Sequence, residues 1–501
     1  MQSFDFFVAA ERHFTQMVEN LQSSVTKESH LNILEHDLLE ESRKLARLRL
    51  QGHIDLRGLG DVGDVVISAE QVKLNHRRKM SRSLYTVFGK ISINRIGYCR
   101  PRHHNRFPLD ASLNLPLGSF SYELQQMLVK EVIKGSFEES MLTIEPLTGV
   151  RIGKRQALEI VKQCADDFDS FYQQQFLITK PDLVQRLPIM VLTTDGKGVV
   201  MLPSSLREGT RKRQLDTNHK LKHRLSKGEK RNRKRMVKNA SIYFIERFVR
   251  QPNEIIDDLL RKKVMQKRPR PVGKRIWASV EKDSSEVISE LFDEAQRRDS
   301  LQSKEWVVLV DGQKHQLKEI KKMAKKRQIE LVVILDIIHV IEYLWDAAHW
   351  FFDESSQSGE DWVSTKLLEV LNSNGKKVAG SIRMSAAKRN LSERPKKTAE
   401  TCASYLTNNK QYLDYKTYLL QGYPIGTGVI EGTCRYLIKD RMDITGARWS
   451  IDGAEAILKL RSIAKSNDFE EYWNFHLTQE FERNYVSKYH ALDQVFSALS
   501  S

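Results

Sequence analysis

Two short apolar runs constrain the fold of this chain more than any other feature. Trp306-Val-Val-Leu-Val310 stops at Asp311-Gly312 and gives way to a lysine-rich helical pattern over about 314–327. Leu331-Val-Val-Ile-Leu335 stops at Asp336 and leads into a second helical pattern over about 338–352. Consecutive strand–helix units pair their strands through helical crossovers, so these residues belong to a sheet with parallel members. Upstream lie three more strand patterns, Leu187–Thr194 ending at Asp195-Gly196, Gly198–Leu202, and Ile242–Val249. The expected class is therefore α/β with a mixed sheet.

The rest of the chain reads as mostly helical. Helical spacing of Phe7, Val8, Phe14, Met17, Val18 and Leu21 opens a helical stretch of about 50 residues. A glycine-rich break follows at Gly52, Gly58, Gly60 and Gly63. Leu84–Phe88 and Ile91–Ile96 alternate as a β-hairpin around a Gly89-Lys90 turn. Within the helical stretch 122–175, Phe137–Leu147 and Gly153–Cys164 flank Thr148–Ile152 with the rhythm of a helix-turn-helix. Lys154 and Arg155 stand near the start of its second helix, where a recognition helix meets nucleic acid. Two ordinary packed helices fit the same pattern. Residues 353–420 read as polar helices, and 430–460 as two helices separated by Gly446-Ala-Arg-Trp449. The expected division is a helical segment 1–60, a small β-containing domain 61–120, a helix-turn-helix-like domain 121–180, a mixed-sheet region in two parts (181–352 and 423–501) and the polar helices 353–422 between them.

Charge is unevenly placed. The chain nets +17, yet residues 207–238 hold 14 basic against 3 acidic residues and 261–275 hold 8 basic and no acidic ones, which together account for the whole excess. Arg211, Lys212, Arg213, Lys230, Arg231, Arg233, Lys234, Arg235, Arg268 and Arg270 all fall in these two stretches. Such density suits a polyphosphate partner, because each contact releases condensed counterions. The start carries acid where a secretory signal would carry base, and the most apolar stretch is broken by Asp336, His339 and Glu342. No membrane association is expected. Four scattered cysteines spell neither a disulfide scaffold nor a paired zinc site, so a reducing compartment is the default.

Three strand patterns end at Asp195, Asp311 and Asp336, and strand ends facing a crevice are where α/β sheets gather their chemistry. Convergent carboxylates suit hard Mg²⁺, and two such ions can stabilise both the attacking and the leaving oxygen of an in-line phosphoryl displacement. Each acid also has a plainer reading. Asp195-Gly196 is a common hairpin turn, and Asp311 and Asp336 are suited to capping helices. His339 suits the core, and Glu431 is placed to pair with Arg435 one helical turn on.

Four ordered segments bear a resemblance: TTDGKGV at 193–199, VVLVDGQ at 307–313, LDIIHVIEYLW at 335–345 and YPIGTGVIEGTCRYLIKDRM…GARW at 423–449. Together they resemble bacterial insertion-sequence DDE transposases of the Kra type, which are related to Mutator-like transposases. The resemblance covers roughly 187–485 and implies an RNase H-like catalytic domain with an all-helical insertion. It assigns Asp195, Asp311 and Glu431 as catalytic, metal-holding residues for two Mg²⁺ ions, with Mn²⁺ as a substitute. Asp336 and His339 stand where relatives carry Cys-x-x-His, which implies a supporting role. DNA roles extend to Arg435, Arg441, Arg448 and Trp449, the last equally suited to a core. Cys99, His103 and His104 fall short of a zinc knuckle, so zinc is not expected.

The implied activity is cleavage of element ends by hydrolysis to expose 3′-hydroxyls, then strand transfer into target DNA. The implied partners are element terminal repeats, target DNA and further copies of the chain as a dimer or larger assembly, in the bacterial cytoplasm at the nucleoid. A nuclease that cuts without joining and a DNA-binding descendant without catalysis are the alternatives.

Overall fold

The computed structural model describes residues 5–175, 186–215, 233–260, 267–389, 391–426, 432, 434–444 and 446–500. The chain divides into two compact units, Met1–Phe171 with Phe469–Ser501, and Tyr172–Asp468. Among the described residues no helix is long and apolar enough to cross a membrane.

The first unit begins with helices Val8–Gln22, Ser24–Lys27 and Leu31–Leu56. The last of these runs through Gly52, where the sequence suggested a break. A side chain at Gly52 would come within 2.6 Å of the Phe6 carbonyl, so here the glycine serves close packing inside a helix. After a small ladder of β1 (Val66–Ile67) and β2 (Lys73–Leu74) comes the hairpin of β3 (His76–Thr86) and β4 (Gly89–Cys99). It is longer than the alternation indicated, and its turn falls at Val87-Phe88, because Thr86 pairs with Gly89 and the Thr86 hydroxyl donates to the Gly89 carbonyl.

Helices Phe137–Thr148 and Lys154–Gln163 follow, joined through Gly149 in the left-handed conformation. Lys154 and Arg155 are exposed at the start of the second. The unit is completed from the far end of the chain: Tyr485, Tyr489 and Leu492 share a core with Val66, Leu74 and Tyr98.

The second unit is built on a mixed five-stranded sheet of β5 (Ile189–Val200), β6 (Lys234–Ile245), β7 (Val272–Ser279), β8 (Glu305–Val310) and β9 (Val332–Leu335), in the order β7-β6-β5-β8-β9. The β6 pairings with β5 and β7 are antiparallel, whereas β5–β8 and β8–β9 are parallel. The fold is thus mixed α/β.

Three details depart from the sequence pattern. Asp195-Gly196 is no turn: one unbroken strand runs from Ile189 to Val200, and Asp195 pairs with Asn239 and Gly196 with Lys238 along a continuous ladder. Strand β7 begins inside the second basic stretch, where Lys274 and Arg275 disguise its start. Arg275 is nevertheless buried, its guanidinium 3.6 Å from the Tyr172 ring centre and paired with Glu294. Finally, Cys434–Lys439 winds as a π-helical turn rather than an α-helix.

Helices Ser284–Arg298, Lys314–Arg327 and Ile337–Phe351 intervene between or follow the strands, and Gln357–Leu371, Gly375–Lys388 and Glu393–Asn408 make up the helical region after them. Helix Ile451–Ser466 packs on β7. Its buried Glu455 accepts from the Val280 amide at 2.8 Å and the Ser279 hydroxyl at 3.0 Å.

Candidate active site

Parallel pairing brings Asp195, in the middle of β5, to one level with Asp311 and Asp336, which follow the ends of β8 and β9. Thr193 on β5 is in register with Leu309 on β8, and Val310 with Leu335 on β9. Two residues beyond Thr193 is Asp195, two beyond Leu309 is Asp311, and Asp336 follows Leu335. The acids therefore stand side by side across three adjacent strands.

Each acid is held differently. Asp195 is half-buried on β5. One of its oxygens accepts the Gly196 amide, and the other accepts the Cys434 thiol at 2.8 Å. Cys434 in turn accepts from the Asn239 side-chain amide at 3.2 Å. Burial and the neighbouring Asp195 charge push the Cys434 thiol far up, so it remains a proton donor to the carboxylate.

Asp311 caps the turn after β8, accepting the Gln313 amide at 2.8 Å. Its backbone carbonyl accepts from the Tyr405 hydroxyl at 2.9 Å, and Tyr405 stacks on Tyr343 with ring centres 4.0 Å apart. Burial raises the Asp311 carboxyl above the ordinary range, and the charge of Asp195 raises it further.

Asp336 is fully buried and caps helix Ile337–Phe351, accepting the Ile338 amide at 3.1 Å, with its second oxygen 2.8 Å from His339 Nδ1. That bond lifts His339 to about 9, against the opposing effect of burial. The histidine is therefore charged at neutral pH and lies near enough to Asp311 to lower its carboxyl's affinity for a proton. A raised histidine stabilises the fold fully below its ordinary value near 6.5, and this contribution disappears as pH rises through about 9. The expected result is that His339→Gln is less stable than the wild type at pH 6, and that the gap closes by pH 10 in thermal unfolding. An unchanged gap would show that the ion pair carries no proton linkage.

Glu431, Lys230 and Arg231 lie outside the described residues. The residues flanking Glu431 meet the acids: the Ile425 carbonyl accepts from the Ile337 amide beside Asp336, and Cys434 reaches Asp195. Among the described residues no group of three His, Cys, Asp or Glu side chains is arranged to hold a metal ion.

The basic candidates divide by exposure. Arg211, Lys212, Arg213, Lys234, Arg268, Arg270, Arg435 and Arg448 are exposed. Arg233 and Arg235 are partly covered, and Arg235 donates to the Val280 carbonyl. Arg441 and Trp449 are buried at 2% and 7% exposure, with the guanidinium 4.8 Å from the indole ring centre and Trp449 Nε1 bonded to the Met442 carbonyl. The Trp449 backbone also continues the ladder beyond β5 through Val200 and Leu202. In this arrangement the Trp449 ring is packed in the core, the alternative that the sequence left open for it.

Cys434, Asn239, Tyr405 and Gln316, whose side chain donates to the Thr194 carbonyl at 2.9 Å, complete the surroundings of the acids. Cys434 and Tyr405 reach Asp195 and Asp311 from elements distant in the chain, whereas Gln316 stands on the helix that follows Asp311. No protein-family model matches this sequence, and no curated protein does either.

Proposed function

We propose that the chain is a DDE-type DNA transposase, with an RNase H-like catalytic domain, that cuts the ends of its own element and joins them to target DNA. The observation that carries this reading is the level alignment of Asp195 and Asp311 on adjacent parallel strands. An RNase H-like domain needs its first and fourth strands to be neighbours for its first two acids to meet, and β5 and β8 are the first and fourth strands of this sheet. The exposed arginines and lysines support a phosphodiester substrate.

Asp195 and Asp311, with Glu431 as third ligand, would hold Mg²⁺, which when bound supplies charge neutralisation at the attacking and leaving oxygens. The protein's own part is orientation. The Cys434 thiol and Gly196 amide fix the Asp195 carboxylate, the Gln313 amide fixes Asp311, and Tyr405 braces the backbone at Asp311. Protonated His339 offsets negative charge beside the pair, and exposed basic residues hold the strand in place. Alignment and electrostatics of this kind suffice for phosphoryl transfer without a covalent nucleophile.

Purified protein incubated with a duplex bearing element ends, in Mg²⁺ or in EDTA, should yield nicked and then joined strands only with the metal. Nicking without joining would replace the transposase by a nuclease. Tight binding without either product would leave a DNA-binding protein.

A further inference from the structure

Next to Asp311 the second unit contains a cavity of about 480 Å³, between the start of helix Lys314–Arg327 and the end of helix Glu393–Asn408 with the turn Lys410–Tyr412 that follows it. Gly312 lies at its edge in the left-handed region, with φ of 85°. A side chain there would come within 3.0 Å of Asn409, Leu335 and Tyr405 at once, so the chain can pass from Asp311 to the cavity only as glycine.

One wall is cationic. Lys314, Lys318 and Lys321 recur at helical spacing, share one face, are exposed, and all line the cavity. Among the described residues no acidic side chain lines it. Lys321 is held in place by the Tyr412 ring, its ammonium 5.0 Å from the ring centre. The far wall carries the side-chain amides of Asn408 and Gln411, which both donate and accept. The space exceeds what one phosphate fills and lies within the range of pockets for small organic ligands. Cations on one side and amides on the other match a nucleotide: phosphate against the lysines, base edge against the amides.

We propose that this cavity receives one unpaired nucleotide of a nucleic-acid strand and thereby anchors that strand beside Asp311. The inference rests on the nucleic-acid reading above and extends it to a specific site. Lys314 and Lys318 take the phosphate, and Asn408 and Gln411 meet the base.

The test is fluorescence anisotropy of a labelled single-stranded oligonucleotide and of its blunt duplex, with the full chain, across a salt series. Lys314→Gln/Lys318→Gln/Lys321→Gln is compared with Lys325→Gln/Lys326→Gln, which neutralises lysines of the same helix away from the cavity. The lining variant should bind the single strand at least about tenfold more weakly. It should also flatten the salt dependence by about 0.7 in slope, the share of one lost phosphate contact on a single strand. The control should change binding little, and Asn408→Ala/Gln411→Ala should weaken the single strand more than the duplex.

Equal binding by the lining variant and the wild type would overturn the site while leaving nucleic-acid binding intact. Failure of the wild type to bind any strand would remove both readings. Displacement of the oligonucleotide by a deoxynucleoside monophosphate at equal phosphate concentration would mark a free-nucleotide pocket and overturn the strand anchor. Displacement by inorganic phosphate would reduce the site to a plain anion hole.

Discussion

Asp311→Asn is expected to reduce strand cleavage and joining by on the order of 10³-fold while leaving DNA affinity equal or slightly higher. Its effect on stability should run the other way. Burial and the Asp195 charge both disfavour the ionised Asp311, so neutralising it removes a repulsion from the folded state. The hydrogen bond from the Gln313 amide to the Asp311 side chain survives because asparagine keeps an acceptor oxygen in the same place. Activity and stability thus move in opposite senses, as they do when a fold tolerates strain for the sake of chemistry. A thermal unfolding scan beside a cleavage assay checks both. Retained cleavage would remove Asp311 from the catalytic set, and a large fall in Tm with unchanged chemistry would make it a structural cap.

The largest stability effect should come from a group remote from any chemistry. Glu294 is 1% exposed and gathers three arginines: Arg275, Arg298 at 2.6 Å and Arg297 at 3.1 Å. Burial alone would raise its carboxyl, but Arg275 and Arg298 outweigh burial and hold it below the ordinary value. Glu294→Ala leaves the buried Arg275 without its carboxylate and should cost about 3–5 kcal/mol in urea unfolding. Arg297 and Arg298 are nearer solvent and should suffer less. Adding Arg275→Met should recover part of the loss, since the stranded charge is the main penalty. With its folded value depressed, Glu294 stabilises the fold above the usual glutamate range, and that contribution is lost as pH falls through the depressed value. A loss under 1 kcal/mol for Glu294→Ala would show that the arginines find water instead.

These two residues also show what the sequence discloses and what it conceals. Asp311 was legible because an apolar strand pattern ends at it and a helix pattern begins after it, both local signals. Asp336 was legible for the same reason, and its capping of the helix is the plainer reading made from sequence. Arg275 and Glu294 were not legible. A basic residue in a basic stretch reads as solvated, and only the pairing of β7 with β6 turns it inward. Asp195-Gly196 misled for a related reason: the dipeptide favours a turn locally, but a ladder extending from Ile189 to Val200 overrides it. Cys434 and Tyr405 touch the acids from far along the chain, and no spacing rule brings such residues together on paper. Trp449 follows Arg448 in sequence, yet its ring packs in the core against Arg441, eight residues upstream.

The first unit draws residues from both ends of the chain, and this governs how the protein is made. On the ribosome residues 66–98 emerge first, yet Val66, Leu74 and Tyr98 are without Tyr485, Tyr489 and Leu492 until those residues have been made. The second unit, Tyr172–Asp468, is contiguous and has its whole sheet available earlier. Synthesis therefore finishes the later part of the chain before the earlier part, and a nascent or prematurely terminated product carries an exposed apolar surface at its N-terminal end. A stop codon before Tyr485 would leave the core begun by Val66, Leu74 and Tyr98 without all three of the residues that complete it.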